Sequence, residues 1–280
     1  MLKKILLHAY NASLLFLLFM SRPAYSEHYA DQTRETYKLE WELGVGIGTI
    51  SLPHYRGADQ NAEYIAPVPY ISYSGERLKI DREGGRFYFY KDKNMIVDVS
   101  TAFALSVESN DNRARVGMSD LDNIIEIGPR VEFKLYESED QQLQFRLGIP
   151  LRTGYAINFS EVKNIGLVFS PYIQAMYFNS GWETDVAFGP IWANEPYHDY
   201  FYEVAPQYKT AIRPAYDAKA GYSGSRITLI LSKRFDDFYF GLFSRYDNLA
   251  AASFVDSPLI KQKDSLIVGI TFAWVFKKSR

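Results

Sequence analysis

Cysteine is absent from the 280 residues. That removes disulfides, zinc–thiolate sites and thiol nucleophiles at once, and it is compatible with an oxidising compartment. Histidine is scarce: His8, His28, His54 and His198 are the whole complement. Charge of one sign is also lacking. The 31 Lys and Arg nearly balance the 33 Asp and Glu, for a formal net charge of -2, so there is no bulk attraction to nucleic acid, which usually needs a basic face. Beyond the first residues no long apolar run occurs. A helical span takes about 20 predominantly apolar residues, so membrane residence would have to use strands.

Aromatic residues are plentiful, with Tyr 22 and Phe 19, and hydrophobic content is 47%. Mean hydropathy is nevertheless only -0.21. Many large apolar side chains without apolar runs imply alternation. At the N-terminus, Lys3 and Lys4 precede the apolar run 12–20, and Ala24-Tyr25-Ser26 places small residues at the positions a signal peptidase reads. The expectation is a signal peptide over 1–26, a polar periplasmic lead over 27–39 and a barrel over 40–280.

Period-two alternation then recurs along the chain. In Leu143-Gln144-Phe145-Arg146-Leu147-Gly148-Ile149-Pro150-Leu151-Arg152 the odd positions are apolar and the even ones polar, small or Pro. The same split runs through 95–108, 125–135 and 265–276. A strand sends successive side chains to opposite faces. A soluble sandwich also alternates, but its strands are usually about five or six residues long. These segments reach the roughly ten residues that a tilted membrane strand needs. Their second face mixes Gly, Ala and Ser with Arg and Glu, which suits a narrow lumen. The expected fold is therefore all-β: a transmembrane antiparallel up-and-down β-barrel of about 12 strands, or ten if 77–90 forms a single strand. Short gaps alternate with long ones, which places both chain ends on the periplasmic side. Trp41, Trp182 and Trp274 then fall near periplasmic strand ends and Trp192 near an outer end, as interfacial aromatics do.

Several motifs carry a resemblance. Gly44-Val45-Gly46-Ile47-Gly48 with Pro53-His54-Tyr55-Arg56-Gly57, Pro67-Val68-Pro69-Tyr70-Ile71-Ser72-Tyr73 and Leu147-Gly148-Ile149-Pro150-Leu151-Arg152 resemble stretches of the MipA/OmpV family, the MltA-interacting outer-membrane proteins. So do Gly189-Pro190 with Tyr197, Tyr200 and Tyr202-Glu203-Val204, and Arg245-Tyr246 with Ala251-Ala252 and Asp256-Ser257-Pro258-Leu259. The resemblance runs from Trp41 to Phe276. Two departures stand out: Ala251 lies where the family often has Gly, and a basic tail, Lys277-Lys278-Ser279-Arg280, continues past the closing aromatic. The resemblance implies an outer-membrane barrel and, for the family's named member, a scaffold joining a lytic transglycosylase to a penicillin-binding protein. Gly269, Phe272, Trp274 and Phe276 are similar to the closing-strand pattern read by the barrel-assembly machinery.

Chemistry-bearing constellations are thin. Hydrolysis by a serine needs a histidine and an orienting acid, and His198-Asp199 is the only His–acid pair, in the longest loop. His28 lies in the lead and His54 in the first loop. Asp111, Asp120 and Asp122 share a loop but do not match a calcium-loop spacing. Gly44-x-Gly46-x-Gly48 lacks the helix a dinucleotide fingerprint requires. No catalytic, cofactor-binding or metal-ligating residue is assigned, no cofactor is expected, and the chain is read as a non-enzyme. Glu40, Glu42, Glu126, Arg130, Glu132, Arg146, Arg152, Glu183, Asp185, Arg226, Arg234 and Arg245 fall on the lumen parity. They are read first as a network holding the wall together, and alternatively as the lining of a small-solute pore. The functional expectation is a scaffold contacting outer-membrane lipid and peptidoglycan-remodelling enzymes, with a pore or a surface adhesin or antigen as the alternative.

Overall fold

The computed structural model describes residues 40–279 except Glu76, Arg82, Glu83, Ser106 and Phe159. The expected signal peptide, the lead with His28, and Arg280 lie outside these residues. Alternation becomes antiparallel strand throughout: β1 (Glu40–Pro53), β2 (Asn61–Ser74), β3 (Leu78–Asp81), β4 (Gly84–Lys91), β5 (Met95–Ala104), β6 (Asn123–Glu137), β7 (Leu143–Ile157), β8 (Val162–Phe169), β9 (Tyr172–Asn179), β10 (Trp182–Ala193), β11 (Gly221–Phe235), β12 (Phe238–Asn248) and β13 (Asp264–Lys278). Apart from β8 and β9, neighbours in sequence pair with one another, and β13 returns to β1, so the sheet closes on itself. β8 lies against 151–157 of β7 and β9 against 143–148. The two are halves of one wall strand broken at Ser170-Pro171, so the wall has twelve strands. Within 77–90, β3 and β4 pair antiparallel as two strands, which rules out the ten-strand count.

The break between β8 and β9 is built into the sequence. Proline has no N–H to give the ladder, and the Pro171 carbonyl oxygen presses on β10 where a Cβ at position 189 would stand; only Gly189 leaves room. At the tight end, Ser180 and Gly181 both have positive φ (50° and 78°), as a two-residue hairpin turn of matching twist requires. The connections at this end are short. Those at the other end include 54–60, 105–122, 194–220 and 249–263. This asymmetry places the short turns and the rim formed by β1 and β13 on the periplasmic side.

Val45, Ile47, Ile65, Phe188, Leu266, Ile270 and Phe272 stand among the most exposed side chains. In water such a belt would be costly; in hydrocarbon it is the solvent-matched face, and the protein resides in the outer membrane. Trp41, Trp182 and Trp274 lie toward the short-turn rim and Trp192 toward the loop end, as the alternation predicts. Bulges adjust the parity locally. One between Lys134 and Tyr136 lets Leu135 and Tyr136 both face outward.

The C-terminus corrects the expectation of a basic tail. Lys277 and Lys278 belong to β13 and pair with Leu43 and Glu42. The Ser279 amide donates to the Trp41 carbonyl at 2.8 Å, while the Trp41 amide donates to the Ser279 hydroxyl at 3.0 Å. The basic residues zip the seam shut rather than hanging free.

The wall is incomplete in one sector. β3 meets β2 only at Tyr73 and Ser74, and β4 meets β5 only along 96–99. Among the described residues, the ladder between β2 and β3 does not extend over the stretch 61–72, and 100–104 of β5 have no ladder partner on the facing edge. Pro67 and Pro69 sit in that stretch of β2, where a missing N–H costs nothing. At the hairpin base β2 and β5 are three strand spacings apart, about 14 Å.

Candidate functional site

Inward parity brings the charged residues together, and register decides who meets whom. Asp98 and Arg130 are direct cross-strand partners, and the guanidinium grips the fully buried carboxylate at 3.0 and 2.5 Å. Arg130 also donates to the Tyr172 hydroxyl at 2.9 Å. Below it, Arg146 donates to Glu132 at 2.8 Å and to Gln144 at 3.0 Å. Above it, Arg152 donates to Glu126, Ser100 and Ser170 at 3.0, 3.0 and 2.9 Å. Gln174 donates to Asp185 at 2.7 Å. Arg226 meets Asp247 as its register partner at 2.7 and 3.2 Å. Near the periplasmic end, Glu42 accepts from Tyr70 at 2.9 Å and pairs with Arg234 at 3.5 Å. Glu183 is buried in the wall and Glu40 opens β1 at the rim. Buried ion pairs of this kind hold only when their geometry is good and spare donors are met.

The lumen has two characters. Ile50, Ala66, Val68, Tyr70, Tyr239, Ala273 and Val275, joined by Leu105 from the outer end of β5, make an apolar sector from β12 through β13 and β1 to β2. The charged network runs mainly over β5 to β11, reaching β12 at Asp247 and β1 at Glu42. Between them lies a cavity of about 370 Å³, bounded by both kinds of wall.

Four long connections close the outer end. Residues from 54–60, 105–122, 194–220 and 249–263 bury a common cluster that includes Tyr55, Leu121, Tyr202, Leu249, Phe254 and Leu259. Within it the Tyr202 and Phe254 rings stack at 3.7 Å. The longest connection holds a helix that the sequence pattern did not announce, α1 (Glu195–Tyr202). The Asn194 side chain caps it by accepting from the Tyr197 amide at 3.3 Å. Backbone-directed bonds lock the loops together: Tyr55 to the Leu259 carbonyl at 2.8 Å, Arg115 to that of Phe201 at 3.0 Å, and Arg213 to that of Ala114 at 2.9 Å.

His198 is wholly buried in this cap. Its Nδ1 lies 2.6 Å from the Lys219 carbonyl, which can only accept, so Nδ1 carries the proton and Nε2 accepts from the Ser223 hydroxyl. Burial holds its pKa below the ordinary value. Ser223 is buried too, and among the described contacts none joins Asp199 to the ring. His54, in the first loop, sits 3.1 Å from the Asn112 amide nitrogen, and burial lowers its pKa as well. Asp111, Asp120 and Asp122 do not converge: Asp120 caps the Ser109 amide at 2.6 Å and Asp122 accepts from Asn158 at 3.2 Å. The described acids that gather are Glu195, Asp199 and Asp217, within 4.8 Å of one another. The Lys219 ammonium pairs with Asp217 there, and burial followed by the neighbouring carboxylates raises the pKa of Asp199.

Further participants stand outside the charge list, Tyr70, Gln144 and Gln174 among them. Asp98 and Asp247 occupy inward parity and were legible by the same rule. Tyr172 was hidden by the strand break. Arg56 and Tyr197 come from loops, where no periodicity points to the lumen.

Among solved structures, the chain is similar to an outer-membrane channel from Pseudomonas putida F1, at 10% identity over 89% of this chain and 100% of that one, with a TM-score of 0.44. It is similar to the Pseudomonas putida toluene transporter TodX, at 8% identity over 94% and 97%, with a TM-score of 0.34. Similarity to the Escherichia coli outer-membrane phospholipase A stands at 9% identity over 95% and 97%, with a TM-score of 0.33. No curated protein matches significantly. A family description, "MltA-interacting protein MipA", matches residues 45–276, from the second residue of the glycine-rich opening motif to the last aromatic of β13, and the chain belongs to that family.

Proposed function

We propose that the protein is a non-enzymatic outer-membrane scaffold that receives a lytic transglycosylase, and with it a penicillin-binding protein, at its periplasmic rim. The observation that carries the reading is the family match over 45–276, whose description names interaction with MltA. The closed cap adds weight: its apolar cluster and interloop bonds oppose a permanently open pore. The rim offers the short turns, Lys277 and Lys278 at the seam, and the exposed pair of Lys278 with Asp237 at 3.5 Å. A stable interface usually buries about 800 Å² per partner, so several turns and the segment 27–39 must act together. Photo-crosslinking from Lys93, Glu139 and Asp237 in intact cells tests this. Recovery of a peptidoglycan enzyme from these positions supports the scaffold; its absence from all three, with the barrel normally assembled, defeats it. A small-solute pore is the second reading, favoured by the cavity, and single-channel recording in planar bilayers separates it from the first.

A further inference from the structure

We propose that the lumenal cavity is a binding site for an amphipathic organic anion, a carboxylate or phosphate head on a small apolar body, with Arg245 as its head-group ligand.

One arginine at the cavity lacks a close acid. Moving an isolated cation out of water is costly, and proteins meet that cost with a partner. Around the cavity Arg152 has Glu126, and Arg226 has Asp247. Arg56 leans on the same Asp247 at 3.4 Å and donates to the Ser223 carbonyl at 2.6 Å. Arg245 has no carboxylate within ion-pair distance and no hydrogen-bond acceptor; Asp247 and Glu126 act on it only from farther away, its guanidinium lies 5.2 Å from the Phe243 ring centroid, and its Nε is buried without a partner. The register explains the vacancy. Arg245 stands opposite Thr228 on β11 and Ile267 on β13, neither of which is a carboxylate. Asp247, two residues on and on the same face, is already shared by Arg226 and Arg56. Five arginines, Arg56, Arg130, Arg152, Arg226 and Arg245, therefore line a cavity that holds three carboxylates, Glu126, Asp185 and Asp247. Adjacent guanidiniums with open donors make a fork for a carboxylate or phosphate.

The other wall selects the body of the ligand. Ile50, Leu52, Leu105 and Ile267 line the same cavity, so an anion lodged on Arg245 would lay an apolar group against them. A volume of about 370 Å³ suits a small organic molecule.

The incomplete wall supplies a route matched to this chemistry. Thr101 and Phe103 have outward parity on β5, yet they line the cavity with the inward Ser100, Ala102 and Ala104. The cavity thus reaches the β5 edge that lacks a ladder partner, beside the lipid-facing belt. An amphipathic molecule in the bilayer meets this edge directly.

The test uses the full barrel in phosphatidylcholine nanodiscs and native mass spectrometry. Octyl phosphate is the probe, with octyl glucoside, octyltrimethylammonium and inorganic phosphate as comparison arms. The expected result is one octyl phosphate per barrel, preferred over all three comparisons. Arg245→Gln should weaken it by about tenfold, the scale of one lost charge-assisted bond, and Arg245→Lys should restore part of the loss. Equal binding of octyl glucoside or octyltrimethylammonium overturns the anion site. Inorganic phosphate binding as tightly as octyl phosphate overturns the amphipathic ligand. Unchanged affinity in an assembled Arg245→Gln barrel overturns the role of Arg245. Should that variant fail to assemble, the wild-type ranking of the four probes decides.

Discussion

The Tyr197 hydroxyl, on the first turn of the cap helix, donates to the Glu126 carboxylate inside the barrel wall at 2.5 Å, across 71 residues of sequence. Glu126 also receives Arg152, so one carboxylate couples the cap to the lumenal network. The bond joins a loop-borne side chain to a strand-borne one and fixes where the helix sits over the cavity.

Tyr197→Phe deletes that bond while keeping the ring that packs near Ile165 and Phe201. A hydrogen bond to a charged group contributes about 1.5–3 kcal/mol. Amides of α1 should exchange at least about tenfold faster, with strand amides unchanged. Uniform protection in variant and wild type would show that the apolar cluster alone holds the cap.

Asp98→Ala leaves Arg130 buried with only Tyr172 and the more distant Glu132, at 3.8 Å. Breaking a buried pair by removing one member costs about 3–5 kcal/mol. The temperature at which the barrel loses its heat-modifiable gel shift should fall markedly. Removing both charges, as Asp98→Ala with Arg130→Met, should recover much of the loss; a double variant as weak as the single one would contradict this account.

Leu147 faces outward in mid-strand, between Phe133 on β6 and Ile173 on β9, while Arg146 points inward. Leu147→Arg should cost about 2–4 kcal/mol if the residue lies near the bilayer midplane. A reversible lipid-folding titration reads it, and equal stability would contradict the outward assignment.

The cap should loosen in mild acid. Burial lowers the pKa of His198 and of His54 below 6.5, so the opened cap takes up protons that the closed cap refuses. Their contribution is complete above pH 6.5 and is lost as pH falls through the lowered values. Asp199, whose pKa is raised above 3.8, works in the opposite sense at lower pH, because its closed form protonates more readily. Protease cleavage within 194–220 should therefore rise between pH 7.5 and 5.5. His54→Gln with His198→Gln should flatten that dependence, and an unaltered pH profile in the double variant would exclude the histidines as its source.

Alternation by itself determined the fold class, the two faces of each strand and the outer-membrane setting, because a period of two is a property of the local backbone and needs no partner. That rule sent Arg146 and Asp98 inward and Leu147 outward, and it applies equally to Asp247. Tertiary structure decided what no local period encodes. Strand register left Arg245 opposite Thr228 and Ile267 while giving Arg226 its Asp247. The fold of the long loops buried His198 and carried Tyr197 to Glu126. Closure drew Lys277, Lys278 and Ser279 into the seam with β1, where a sequence reading ends at the last aromatic. Each is a contact between residues far apart in the chain, set by how loops and strands meet in three dimensions. The end of the described β2–β3 ladder at Tyr73 is of the same kind: Pro67 and Pro69 mark an edge, but strand register decides where pairing stops.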